Sequence, residues 1–323
     1  MTKIFWSAIR GVQSDNRQST IENLKSVVGI IIFAFTLAFS VMAGAQPTKI
    51  PRIGYFSYLS GSAGPLSART EAFRQGLRDL GYVEGKNIVI EWRSAEGKLD
   101  RLPALAAEFV RLKVDVIVTT SPTGTRAAKE ATFTIPIVMA NDGDPVGTGF
   151  VASLARPGGN ITGLASLAPE ISAKRLEILK EFVPRISRVA VFGTSTNPGY
   201  EQALREMEIA AGGFGVKVQY LDILGPKDIE TAFRAASKGR ADAVLLLGGP
   251  VLMSQRGQIV DLAVKSHLPA IYSQTEYTEA GGLMYYGASS PDLHRRAATY
   301  VDKILKEQSH PNYRSNSRQR LNS

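Results

Sequence analysis

The chain has 323 residues, of which 44% are hydrophobic and 21% are charged, and it contains no cysteine. This composition is typical of a globular protein, and the length allows two domains of ordinary size. The absence of cysteine excludes disulfides, thiolate zinc sites, iron–sulfur clusters, cysteine nucleophiles and a lipid attached to cysteine. The net charge is +9, part of which lies at the two ends of the chain, and between them charges of both signs are interspersed, so we expect no nucleic-acid partner.

A secretory signal peptide is predicted at residues 1–45. Residues 27–42 form an apolar run, which Lys25 precedes and Ala43-Gly44-Ala45 follows. A basic flank, a short apolar core and an A-x-A end are the parts of a cleavable signal. A membrane anchor is the alternative, but the run is slightly short for a span of about 18–20 residues. We therefore expect cleavage after Ala45 and a periplasmic mature protein.

The first half of the remaining chain alternates between strand and helix patterns. Phe73, Leu77 and Leu80 recur at helical spacing, and residues 114–119 form a nearly continuous apolar run. Such a run is typical of a parallel strand that is covered on both faces. The patterns predict strands over 52–57, 87–92, 114–119 and 135–140, and helices over 73–80, 100–110 and 123–131.

The second half repeats this order. The patterns predict strands over 188–192, 216–220, 243–247 and 269–272, and helices over 201–211, 228–237 and 254–266. Because the same alternation occurs twice, we predict an α/β protein with two doubly wound parallel-sheet lobes and a ligand cleft between them. The expected parts are an N-terminal lobe (46–160), a C-terminal lobe (161–285), a returning helical segment (286–306) and a disordered, polar and basic tail (307–323).

A residue that commonly caps helices precedes proline at five points of the chain. These pairs are Ser121-Pro122, Asp144-Pro145, Asn197-Pro198, Gly249-Pro250 and Ser290-Pro291. Each pair by itself indicates only the start of a helix. All five follow predicted parallel strands, however, at the edge where open α/β sheets bind ligands. Unpaired N–H groups of several helix starts would then meet in one crevice and favour a carboxylate or another small anion.

No sequence motif for catalysis or for a cofactor is present. The chain has no G-x-x-x-x-G-K-[ST] loop, no G-x-S-x-G elbow and no H-E-x-x-H segment. Its three histidines, His267, His294 and His310, are far apart in sequence and suggest neither a metal site nor a Ser/His/Asp set. We therefore predict no catalytic residues, no metal and no cofactor.

Several short segments carry a family resemblance. They are 71–82 (EAFRQGLRDLGY), 84–87 (EGKN), 143–147 (GDPVG), 153–163 (SLARPGGNITG) and 174–177 (KRLE). Through these segments, residues 50–306 resemble the ABC-transporter substrate-binding proteins that are often described as tryptophan/tyrosine transport components. This resemblance implies the fold of a type I periplasmic binding protein.

The family's plan places the ligand between the lobes, in contact with loops that follow the strands. Carried onto this chain, the resemblance implies the ligand-binding residues Ser57, Tyr58, Thr120, Ser121, Thr123, Asn141, Asp144, Thr196, Asn197, Tyr200, Gly249, Ser273 and Glu276. We expect the hydroxyls of residues 120–123 to bind a carboxylate. Asp144 or Glu276 is expected to pair with an ammonium, and Tyr58 and Tyr200 to form an aromatic wall. Asp144 also fits a helix cap, and Tyr58 an exposed loop.

The resemblance implies the periplasmic solute-binding component of an ABC importer rather than an enzyme. Two lobes would close about a hinge over a small carboxylate-bearing ligand, an amino acid that is aromatic in the family's description. The closed form would dock on a membrane permease whose partner ATPase drives import. Two other functions stay open at this point: an accessory protein that presents a ligand to a sensor, and a periplasmic hydrolase with Asp144 and Glu276 as acid and base.

Overall fold

The computed structural model describes residues 49–58 and 67–309. The predicted signal peptide and residues 310–323 of the predicted tail lie outside this part of the chain. Within it, none of the helices combines the length and the apolar character that a membrane span requires. The described residues form two α/β lobes, and each lobe is built on one five-stranded sheet.

The sheet of the first lobe has the strand order β2-β1-β3-β4-β5, and all its strands are parallel. The strands are β1 (Arg52–Ser57), β2 (Val89–Ser94), β3 (Val116–Thr119), β4 (Ile137–Asp142) and β5 (Ile161–Ala165). The helices between them are α1 (Ala68–Asp79), α2 (Leu102–Arg111), which a 3-10 turn at Leu99–Arg101 precedes, and α3 (Pro122–Ala131). Apolar clusters lie on both faces of this sheet, and β3 is therefore buried along its whole length.

The sheet of the second lobe has the order β10-β9-β8-β6-β7 and is also parallel throughout. The strands are β6 (Arg188–Gly193), β7 (Lys217–Asp222), β8 (Ala243–Leu246), β9 (Ala270–Tyr272) and β10 (Met284–Tyr285). Its helices are α4 (Ala168–Phe182), α5 (Tyr200–Gly213), α6 (Asp228–Lys238), α7 (Pro250–Ser254), α8 (Arg256–Lys265) and α9 (Glu276–Glu279). Here too, apolar clusters on both faces bury the central strand β8 completely.

A last helix, α10 (Ser290–Ser309), crosses back to the first lobe. It packs against α1 and β4, and it places Leu293, Ala297 and Val301 in the core of that lobe. These three residues lie four positions apart, so they share one face of the helix. The helix therefore completes the cover of the first sheet. It continues to Ser309, three residues beyond the helical segment that the sequence predicts.

Two features of chain organisation differ from the sequence prediction. The boundary between the lobes was expected after residue 160, whereas residues 161–165 form the edge strand β5 of the first sheet. Gly163 in this strand has a φ of +139°, and an added Cβ would lie 2.2 Å from the carbonyl oxygen of Met139. Glycine is uncommon inside strands, so the sequence alone gives no clear sign of this short strand. The helix predicted over 254–266 is α8 (Arg256–Lys265), and a short helix that was not predicted, α7 (Pro250–Ser254), precedes it with a break at Gln255.

Gly76 allows α1 and α10 to approach each other closely. A Cβ at this position would lie 2.3 Å from the carbonyl oxygen of Arg295 and 2.9 Å from the Cβ of Ala298. We expect Gly76→Ala to push α10 away and to lower the free energy of unfolding by about 1–3 kcal/mol, as measured by urea denaturation. The matched control is Gly212→Ala in α5, where an added Cβ meets no atom within 4 Å. Equal destabilisation by both variants would contradict the close approach.

Candidate functional site

A cavity lies between the two lobes. Its wall contains residues that follow or end β1, β3 and β4 in the first lobe, and β6, β8 and β9 in the second. The carboxyl ends of parallel strands are the usual ligand-binding edge of such sheets. The cavity volume is about 150 Å³, which suits a small solute rather than a polymer.

Ten of the thirteen predicted ligand-binding residues line this cavity. They are Ser57, Tyr58, Thr120, Ser121, Asn141, Asp144, Asn197, Tyr200, Gly249 and Ser273. The other three lie elsewhere. Thr123 is in the first turn of α3, where its hydroxyl bonds that of Ser121, and Thr196 is exposed on the loop after β6. Glu276 begins α9 and pairs with Arg69.

The predicted carboxylate-binding hydroxyls already have partners within the protein. The Oγ of Ser121 caps α3 and accepts a hydrogen bond from the backbone N–H of Gly124 at 3.2 Å. The Oγ1 of Thr120 donates to the carbonyl oxygen of Phe56 at 3.2 Å. These hydrogen bonds fix the loop between β3 and α3. A ligand could use only the hydrogen-bonding positions of the two hydroxyls that these bonds leave over.

Asp144 acts as a cap for the turn that follows it. Its Oδ1 accepts from the backbone N–H of Gly147 at 2.8 Å, and its carbonyl oxygen accepts from the Oγ1 of Thr148 at 2.8 Å. The structure thus favours the capping interpretation over an ammonium-binding carboxylate. It gives no support to Asp144 as the acid or base of a hydrolase.

Arg69 joins the two lobes. It lies in α1 of the first lobe, and its Nε donates to the Oε1 of Glu276 in the second lobe at 2.8 Å. Its Nη2 donates to the Oε1 of Gln274 at 2.8 Å. The charge of Glu276 is therefore balanced within the protein, and this differs from the predicted pairing of Glu276 with a ligand ammonium. The contact links the lobes at the edge of the cavity.

Arg175 is a buried cation in the cavity wall. Only 4% of its surface is exposed, and burial lowers the pKa of its guanidinium to about 10. Its Nε donates to the carbonyl oxygen of Tyr286 at 2.6 Å, and its Nη1 donates to the Oγ of Ser172 at 3.2 Å. Among the described residues, no aspartate or glutamate forms an ion pair with it. A buried charge is costly unless it is paired, so an anion in the cavity would stabilise this arrangement.

Two aromatic side chains in the wall come from opposite lobes. Tyr58 follows β1 and donates its hydroxyl to the carbonyl oxygen of Gly97 at 2.9 Å. Tyr200 begins α5 and packs against Tyr220, with ring centroids 5.0 Å apart. Both rings line the cavity and offer apolar surface to a ligand. Tyr58 is 4% exposed, so it is not an exposed loop residue.

Seven further side chains with polar atoms line the wall and were not predicted. They are Tyr55, Arg69, Ser166, Ser172, Arg175, Gln274 and His294. Four of them lie on helices, whereas the residues predicted from the sequence were chosen because they follow strands. One signal was available for Arg175, because it lies four positions from Ile171 and from Leu179, on the apolar face of α4. A lone cation on an apolar face has to find a partner in the folded protein.

The fold and the cavity define a class of protein: a two-lobed binding protein that holds a small solute between its lobes. The sequence model of the family described as "ABC transporter substrate binding protein" matches residues 58–320, and the chain belongs to this family. The family consists of substrate-binding proteins rather than enzymes. The resemblance seen in the sequence and the predicted type I periplasmic binding fold are therefore confirmed.

Individual relatives agree with this assignment. The chain is 25% identical to the tyrosine-binding protein of Clostridioides difficile (strain R20291), over 76% of this chain and 70% of that protein. It is similar to a conserved domain protein from Vibrio cholerae, with a TM-score of 0.75, 27% identity, and coverage of 80% of this chain and 86% of that chain. An ABC domain from Streptococcus pneumoniae in complex with L-Trp has a TM-score of 0.72, 22% identity, and coverage of 79% and 85%.

Asp142 introduces a pH dependence next to the cavity. It ends β4 and is fully buried, its Oδ1 accepts from the backbone N–H of Asp144 at 3.2 Å, and its Oδ2 has no partner. Burial raises the pKa of this carboxyl to about 7, and the nearby charge of Asp144 also contributes. The folded protein therefore binds the proton more tightly than the unfolded chain does. Stability conferred by this group is present below pH 4 and is lost as the pH rises towards 7.

We expect Asp142→Asn to remove this loss. The free energy of unfolding of the variant and of the wild type is measured by urea denaturation at pH 5 and at pH 8. The difference between the two proteins should favour the variant by roughly 2–4 kcal/mol more at pH 8 than at pH 5. Asp261→Asn, at an exposed position of α8, is the control and should give the same small effect at both pH values. If Asp142→Asn changes stability equally at both pH values, the carboxyl of Asp142 does not titrate in this range.

Proposed function

We propose that the protein is the solute-binding component of an ABC importer and that it binds a small carboxylate-bearing ligand, an amino acid with an aromatic side chain, between its lobes. The observation that carries this proposal is the buried guanidinium of Arg175 in the cavity wall, which pairs with no carboxylate of the described residues. A carboxylate is the group that a buried guanidinium binds best, because two parallel N–H···O bonds match its geometry.

The relatives support an aromatic amino acid. The Clostridioides difficile relative is a tyrosine-binding protein, and the Streptococcus pneumoniae structure with a similar fold contains L-Trp. The rings of Tyr58 and Tyr200, which lie in opposite walls, suit an aromatic side chain. Ser57, Asn141, Asn197 and the remaining predicted residues of the wall would complete the contacts to the ligand.

Closure of the two lobes would couple binding to transport. A ligand that contacts both lobes stabilises the closed form by its higher affinity for that form. The closed form would then dock on a membrane permease whose partner ATPase drives import. This role places the mature protein outside the cytoplasmic membrane, which is consistent with the predicted signal peptide.

A ligand screen tests the binding proposal directly. Mature protein from Gln46 onward is melted with amino acids and small carboxylates, and titration calorimetry follows each positive result. A ligand at 100 times its dissociation constant should add about 2.7 kcal/mol of stability. Binding of neutral sugars or of cations, without binding of any carboxylate, would contradict the proposal.

Arg175 variants test the proposed contact. We expect Arg175→Met to lower the affinity for the carboxylate ligand by about 100-fold or more, because a charged hydrogen-bonded contact is lost. The melting temperature of the ligand-free variant should change little, since removal of an unpaired buried charge offsets the lost hydrogen bonds. Arg175→Lys keeps the charge and should bind with intermediate affinity. Unchanged affinity of Arg175→Met would place the carboxylate elsewhere.

The contact between Arg69 and Glu276 should favour the closed form. We expect Glu276→Gln to shift the ligand-free protein towards a more open form and to weaken ligand binding roughly tenfold. Small-angle scattering measures the opening, and calorimetry measures the affinity. Glu279→Gln, at an exposed position of the same helix α9, is the matched control. Identical scattering and affinity for both variants would argue against a role in closure.

A further inference from the structure

His294 brings an unused hydrogen-bonding atom into the wall of the cavity. It lies in the first turns of α10, none of its surface is exposed to solvent, and it lines the cavity. Its Nδ1 is 2.7 Å from the carbonyl oxygen of Ser290. Its Nε2 is buried and has no hydrogen-bond partner. A buried polar atom without a partner is rare in folded proteins, and at a cavity it indicates a group that a ligand can satisfy.

The bond to Ser290 determines what Nε2 can do. A carbonyl oxygen can only accept, so Nδ1 carries the hydrogen and donates it. The ring is neutral, because burial and the nearby guanidinium of Arg69 lower the pKa of His294 to about 3. A neutral imidazole has one hydrogen, so Nε2 has none. Nε2 is therefore a hydrogen-bond acceptor.

The surroundings of His294 restrict which donor this acceptor can take. The guanidinium of Arg69 disfavours positive charge on the imidazole, and the same field disfavours an ammonium group at Nε2. A neutral O–H or N–H group is not affected in this way. The ring of Tyr55 also lines the cavity, with its centroid 6.5 Å from the imidazole, and it offers apolar surface beside the acceptor.

We infer that His294 accepts a hydrogen bond from a neutral donor on the aromatic ring of the ligand, a phenolic hydroxyl or a ring N–H, and that it thereby selects such ligands over analogues without the donor. This inference rests on the proposed function. Arg175 belongs to the second lobe and His294 to the first, so a ligand held by its carboxylate at one and by its ring at the other bridges the two lobes.

Two ligand pairs test the inference in the wild-type protein. The first is L-tyrosine with L-phenylalanine, and the second is L-tryptophan with its sulfur isostere 3-benzothienyl-L-alanine. In the pair that fits the cavity, the donor-bearing member should bind about 10- to 100-fold more tightly, because its analogue leaves the acceptor buried and unpaired. The 15N resonance of Nε2 should move with the donor-bearing member and not with its analogue.

Two substitutions separate the acceptor from the bond to Ser290. His294→Asn keeps an amide N–H within reach of the Ser290 carbonyl oxygen but has no atom at the position of Nε2, so the preference within the pair should disappear. His294→Gln places an amide oxygen near the position of Nε2, so much of the preference should remain. His267→Asn is the control, because His267 is exposed and its φ of 52° suits asparagine.

The outcomes distinguish this inference from the proposed function. If both members of each pair bind the wild type equally, or if His294→Asn keeps the full preference, the inference is overturned and the proposed function stands. If other carboxylates bind and no aromatic amino acid does, the inference is overturned and the ligand class is corrected. If no carboxylate binds, both fail. The ligand pairs give a result with the wild type alone, so a poorly folded variant does not prevent the test.

Discussion

The return of α10 to the first lobe is the contact on which most of the structure depends. The first sheet has two apolar faces, and α1 and α10 together cover one of them. Gly76 permits this packing, because its lack of a side chain brings the two helices together. The same helix carries His294 into the wall of the cavity. The packing of α10 therefore both completes the core of the first lobe and positions His294 in the cavity wall. A substitution that disturbs this packing should lower stability and alter the cavity.

The charges around the cavity are arranged in two different ways. Arg69 is balanced by Glu276 across the lobes, so its charge contributes to how the lobes are held together. Arg175 is balanced by no carboxylate of the described residues. A buried cation without a counter-charge makes a protein less stable than it could be, and under the proposed function an anionic ligand would restore the balance. An anionic ligand would then have an advantage that a neutral solute of the same shape lacks.

The site was only partly predictable for a clear physical reason. Residues that follow parallel strands must come to one edge of the sheet, and ten of the thirteen residues chosen on that principle do line the cavity. Arg69, Arg175 and His294 reach it by another route, from helix faces whose orientation depends on how each helix packs. The spacing of Arg175 from Ile171 and Leu179 was a signal that no prediction used, and it would not have shown where the cation lies. Glu276 was predicted to bind the ligand, but it lies outside the cavity wall and pairs with Arg69, a partner that only the folded chain provides.

The sequence by itself determined the alternation of strands and helices, the two-lobed α/β class and the family, because these follow from local periodicity and short segments. It did not determine that Ile161–Ala165 belongs to the first sheet, since that strand is defined by its pairing with β4 rather than by its own composition. The caps made by Ser121 and Asp144 are local, because each side chain accepts from a backbone N–H three residues further on, and the sequence already indicated them. Only the tertiary structure decided that Arg175 is buried away from every carboxylate of the described residues and that the Nε2 of His294 is buried without a partner. Burial and charge pairing depend on neighbours that are distant in sequence, and these come together only when the chain folds.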